Sequence, residues 1–149
     1  MSIPTFSERK MLSWQKIQDM AKQGIHFGSH TVTHPKLTEL DDDSVSKELI
    51  QSKQIIEDQL GAECRHFAYP YGLLTEKTRE LVQQAGFKTA CSTRAGFNNA
   101  ERDPLIMHRI DVYGNDTWWK LQQKITFGMN NASLLYPLKY YYNRYIGKI

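Results

Sequence analysis

The chain has 149 residues, 40% of them hydrophobic and 23% charged, with a formal net charge of +3. This length suits one domain with a single buried core, and the composition is that of an ordinary globular protein. So small a charge, with no run of Lys or Arg, argues against nucleic acid as a partner, and no 18-residue apolar run encodes a transmembrane helix.

The amino terminus lacks the charged, apolar and small-residue order of a signal peptide. The expected setting is the cytoplasm, or the cell surface or periplasm if an export segment precedes Met1. Residues 1 to 12 carry no periodic pattern. Ser13 is placed to cap a helix from Trp14 to about Lys22, with Trp14, Ile17, Met20 and Ala21 as its apolar stripe and Gly24 as its end. Ile25 to Gly28 reads as a short strand. Asp41-Asp42-Asp43 opens a second helix, since carboxylates there cap free amides and complement the dipole. It runs to about Leu60, with Val45, Leu49, Ile55, Ile56 and Leu60 facing the core and Gly61 closing it.

Cys64 to Tyr69 reads as the next strand, followed by the turn Pro70-Tyr71-Gly72. A third helix starts near Thr75, presents Leu81, Val82 and Ala85, and stops at Gly86. Further strands are expected over Phe87 to Thr93 and Leu105 to Val112. Cys64 and Cys91, each in or beside a strand, read as small buried apolar residues. The alternation of helices and strands predicts parallel strands joined by right-handed crossovers. A last helix passes through Trp118 to Ile125, and Gly128 breaks it. Residues 128–149 form a separate tail. From Leu134 it holds five tyrosines, three basic residues and no acidic one. Such an amphipathic segment either docks on the domain or lies against a membrane surface.

The stretch with the most chemistry is Ser29-His30-Thr31-Val32-Thr33-His34-Pro35. Two β-branched threonines, a valine and the proline disfavour a helix, so the histidines sit in a loop leaving the carboxyl end of a strand. Open α/β sheets and barrels build their sites there. Spacing alone leaves two readings: a hydrogen-bonded pair, which is the commoner, or two metal ligands.

Together with Phe67-Ala68-Tyr69-Pro70-Tyr71-Gly72 and the helix ending at Gly86-Phe87, this stretch resembles the polysaccharide deacetylases of the NodB-homology group, carbohydrate esterase family four. The resemblance implies an α/β fold, a distorted (β/α) barrel over residues 1–127, incomplete on its N-terminal side. It implies hydrolysis of acetamide groups on N-acetylglucosamine-type polysaccharide or oligosaccharide. His30 and His34 then match the ligands of a divalent metal, commonly zinc, and Tyr71 matches the residue whose backbone amide binds the oxyanion. Tyr69, Pro70 and Gly72 fall in the substrate-binding turn. His108 is the candidate general acid by residue type, a strand histidine being the plainer reading. The family's Thr-Phe-Asp-Asp-like motif has no clear counterpart: Pro4-Thr5-Phe6-Ser7-Glu8 lacks the aspartates. General base and third ligand are therefore unassigned, and a non-catalytic carbohydrate-binding or structural relative is the alternative. An absent first strand would leave an open sheet edge, which favours pairing with a second copy.

Overall fold

The computed structural model describes residues 11–131 and residue 135. Four α-helices and two short strands follow in the order α1 (Trp14–Lys22), α2 (Asp42–Leu60), β1 (His66–Ala68), α3 (Glu76–Gln84), β2 (Thr89–Cys91) and α4 (Trp118–Phe127). The helix ends are those the sequence marks. Ser13, Asp41, Thr75 and Thr117 each accept a backbone N–H at an N-cap, and Gly61 ends α2 in the left-handed region.

β1 and β2 are parallel, with Phe67 opposite Ala90. The two other expected strands are reduced to single bridges, both parallel: Ser29 to Phe67 and Met107 to Cys91. Ser29 N–H donates to His66 O at 2.8 Å, and Ala68 N–H returns to Ser29 O at 2.9 Å. Residues 25–28 and 108–112 thus carry no ladder of their own, and Leu105 and Ile106 lie in a turn and a bend, a correction to the strand lengths expected. Four parallel segments stand side by side in chain order, an arc of a barrel, and every crossover leads to the neighbouring place. Among the described residues nothing pairs with the far side of the Ser29 segment.

Helices α2 and α3 cover this arc. Val45 and Leu49 of α2, Leu81 and Val82 of α3, and Phe67, Phe87, Ala90 and Leu105 form one buried cluster. Phe67 lies between Tyr69 and Phe87, with ring centroids 5.2 and 5.1 Å away. Ile55, expected in the core, is 43% exposed, because α2 turns only a narrow stripe inward. Lys53 ties α2 to the start of β1, its Nζ reaching Glu57 and Cys64 O at 2.7 Å each. The helix α1 packs alongside α2 and buries none of its residues, with Gln18 Nε2 donating to Gln59 O at 2.8 Å. Both cysteines are free thiols, Cys64 buried and pushed up in pKa by that burial. Most of the tail lies outside the described residues, and so does the expectation made for it.

A cavity of about 650 Å³ opens between α1, the end of α2 and residues 62–66. Its walls come from the residues that precede Ser29 and β1. It therefore lies at the end of the sheet opposite the histidine loop and shares no lining residue with it.

Candidate active site

The parallel arrangement fixes where the loops emerge. The histidine loop follows Ser29, the Tyr69–Gly72 turn follows β1, and both leave their segments at the carboxyl end. The two loops touch there. His30 Nδ1 lies 2.7 Å from Ala68 O. A carbonyl only accepts, so that nitrogen carries the proton, and in the neutral ring Nε2 presents a lone pair. His34 Nε2 meets it at 3.1 Å. The His34 ring stands edge-on to Tyr71, centroids 4.6 Å apart.

Strain concentrates at the same place. Among the described residues three non-glycine positions have positive φ: Thr31 (69°), His34 (59°) and Tyr71 (58°). Each costs on the order of 1–3 kcal/mol and persists only where its surroundings hold it. Thr31 Oγ1 bonds to His30 O and accepts from His34 N–H at 3.1 Å. From α2, the Glu48 carboxylate accepts from Val32 N–H (2.7 Å), Thr33 N–H (3.0 Å) and Thr33 Oγ1 (2.7 Å). Burial acts to raise the Glu48 pKa, but the bonds from Thr33 and Val32 outweigh it and hold the carboxyl below its ordinary range. One helical turn on, Ser52 Oγ bonds Ser29 Oγ at 2.6 Å in the buried interior.

In the second loop, Tyr71 lies at the centre of a tight turn closed by Gly72 N–H to Tyr69 O at 2.9 Å. The Tyr71 N–H meets no acceptor among the described residues, and the side chain is 55% exposed. Its neighbours face the other way. Tyr69 is 1% exposed, and its hydroxyl donates to Leu105 O at 3.0 Å. Burial pushes that phenol well above its ordinary pKa. Pro70 and Gly72 are also buried. Gly72 has φ +68°, and a Cβ there would stand 2.1 Å from Thr93 Oγ1 and 2.5 Å from Thr93 N. Of the four residues expected in the turn, only Tyr71 offers a side chain to a ligand. The other three shape the turn from inside.

His108 follows Met107 and so leaves the sheet at the same end, yet its contacts are separate from the pair. Its Nε2 accepts from Arg102 at 3.1 Å, and its backbone makes two bonds to the Asn98 side chain. Nδ1 is buried without a hydrogen-bond partner among the described residues. Burial, then the Arg102 and Arg94 guanidiniums, lower its pKa below the usual histidine value. The unfolded chain consequently binds the proton that the folded one refuses. Stability is expected to fall as pH drops below about 6.5 toward the folded pKa. An NMR titration reads this directly, and a His108 midpoint at or above about 6.5 would remove the effect.

The histidine pair fits a metal by chemistry and by spacing. Two nitrogens each 2.0–2.1 Å from one tetrahedral ion lie about 3.3 Å apart, close to the 3.1 Å between His30 Nε2 and His34 Nε2. The bond from His30 Nδ1 to Ala68 O is the outer contact that a ligating imidazole ordinarily makes. Among the described residues, however, no group of three His, Cys, Asp or Glu side chains converges. Glu48, the carboxylate bound to the loop, is spent on Val32 and Thr33.

The family model for polysaccharide deacetylases matches residues 4–90. The chain belongs to the polysaccharide deacetylase family. The match takes in the Pro4–Glu8 stretch, which lies outside the described residues. A putative polysaccharide deacetylase of Bacillus subtilis is 25% identical over 101 residues, 68% of this chain and 36% of its own length. A putative polysaccharide deacetylase from Bacillus anthracis superposes with a TM-score of 0.68 at 26% identity, over 83% of this chain and 38% of that one. A deacetylase from Streptococcus pyogenes superposes at 0.70 with 24% identity, over 79% of this chain and 51% of that one, a likeness of fold. This deacetylase-family chain spans about a third to a half of the length of these relatives.

Sequence reasoning missed Glu48 and Ser52. The available signal was their spacing of four on α2, flanking the buried Leu49, which puts two polar groups beside the core stripe of an otherwise amphipathic helix.

Proposed function

We propose that the chain supplies the histidine and tyrosine side of a metal-dependent carbohydrate deacetylase site acting on N-acetylglucosamine-type polysaccharide. The convergence of His30 Nε2 and His34 Nε2 at 3.1 Å beside Tyr71 carries this reading. In it, His30 and His34 hold a divalent ion, and zinc suits two neutral imidazoles best. When bound, such an ion polarises an acetamide carbonyl and lowers the pKa of an attacking water. Ala68 O keeps the His30 proton on Nδ1, so that Nε2 faces the site. The unspent Tyr71 N–H donates to the oxyanion of the tetrahedral intermediate, a role suited to an amide fixed in place before the reaction. The exposed Tyr71 ring gives a sugar an apolar face to lie on, while Pro70 and Gly72 hold the turn.

His108 as proton donor to the leaving amine would first have to give up the Arg102 bond and gain a proton at Nε2. The second reading, a relative that binds carbohydrate without cleaving it, is favoured by the lack of a third converging ligand among the described residues.

An NMR titration tests the proposal, with an N-acetylglucosamine tetramer added in the presence and absence of zinc. The Tyr71 amide is expected to shift with the sugar, and the His30 and His34 ring signals with zinc. A tetramer that moves neither loop, together with zinc effects that survive His30→Ala, would sink it.

A further inference from the structure

Of the groups that touch the histidine loop, the one on α2 does the most and has no assigned role. We propose that Glu48 is a positioning residue, the clamp that holds the strained Thr31–His34 turn so that both imidazoles meet. This rests on the metal reading above and deepens it.

Glu48 uses both carboxylate oxygens on the loop: one takes the Val32 and Thr33 amides, the other the Thr33 hydroxyl. The two residues it grips lie between the two positive-φ positions, Thr31 and His34. Adjacent amides in such a turn point their N–H groups to one side, and a carboxylate is the acceptor that satisfies them most strongly. Glu48 precedes Leu49, which is fully buried, so the helix that carries the clamp is anchored in the core. Ser52, one turn further, secures the base of the same loop through Ser29. The loop is therefore referenced to α2 at two levels, and its imidazoles inherit that rigidity. Glu48 contacts neither imidazole, so it acts on the histidines only through the loop.

Outer contacts of this kind typically change metal affinity by about ten- to a hundred-fold. The test compares the wild-type chain with Glu48→Ala and the isosteric Glu48→Gln, whose amide oxygen can still accept the loop N–H groups, without the charge, and which preserves the packing. Circular dichroism verifies the fold of each. In the metal-free protein, hydrogen exchange at Val32 and Thr33 is expected to be at least tenfold faster in Glu48→Ala, with Glu48→Gln between it and the wild type. Zinc affinity should fall by about ten- to a hundred-fold in Glu48→Ala, and the cobalt spectrum should change, Glu48→Gln again recovering part. Unchanged exchange would overturn the clamp. Faster exchange with unchanged zinc affinity and cobalt spectrum would overturn the positioning role and leave a structural bond only. The exchange measurement needs no metal, whereas zinc affinity unaltered by His30→Ala would count against the metal reading itself.

Discussion

Zinc added to the 149-residue chain is expected to bind weakly, and binding should vanish in both His30→Ala and His34→Ala. Two imidazoles give two protein ligands, whereas catalytic zinc sites ordinarily hold three and a water. The same shortage governs the chemistry. No carboxylate among the described residues is free beside the pair, because Glu48 is committed to the loop amides. A positioned general base contributes typically about a hundred- to ten-thousand-fold. Acetate release from N-acetylglucosamine oligomers by this chain should therefore lie near the zinc-only background. Calorimetric titration and an acetate assay on the wild type and both variants check this. Tight, histidine-dependent binding with clear acetate release would mean that another residue supplies the base, and His108 and Asp111 would be the first to examine.

The second expectation concerns Gly72. With φ +68°, an alanine pays about 1–2 kcal/mol for its backbone conformation, and the methyl overlaps Thr93 at 2.1 and 2.5 Å. Overpacking against a strand-end backbone adds roughly 1–3 kcal/mol. Gly72→Ala is expected to lose about 2–5 kcal/mol, read as a lowered urea midpoint at constant slope. Gly24→Ala is the control: φ is +88° but a Cβ there meets nothing within 4 Å, so only the backbone cost applies. Equal losses in the two variants would show that the close approach of Gly72 to Thr93 is immaterial.

The helices were legible because their signals are local. Asp41, Thr75 and Gly61 act through bonds within a turn of themselves, and a sequence shows such bonds directly. The strands were legible in place and not in length. Ile25–Gly28 has the composition of a strand, but pairing needs a neighbour, and only Ser29 finds one. Tyr69 shows the limit of reading a motif as a surface. Alternation turns it inward, where Leu105 O waits across the fold, while Tyr71, two residues later, is turned out by its positive φ. That His30 and His34 meet was expected from the loop; that Glu48, fourteen residues beyond His34, holds them was not, because its spacing from Ser52 marks a helix face but does not say which backbone amides that face meets.

The order of the parallel segments also bears on how the molecule forms. His30 and Ala68 are 38 residues apart, and Tyr71 and Thr93 are 22 apart. Each loop closure is short, and each new segment adds to the edge left by the one before. Such neighbour-to-neighbour winding keeps contact order low for a parallel sheet, where entropic cost ordinarily slows assembly. On a ribosome the histidine loop, α2 with its clamp and the Tyr71 turn all emerge before β2 does. The half of the rim that holds the imidazoles can therefore take shape first, with later segments added to an edge that is already set.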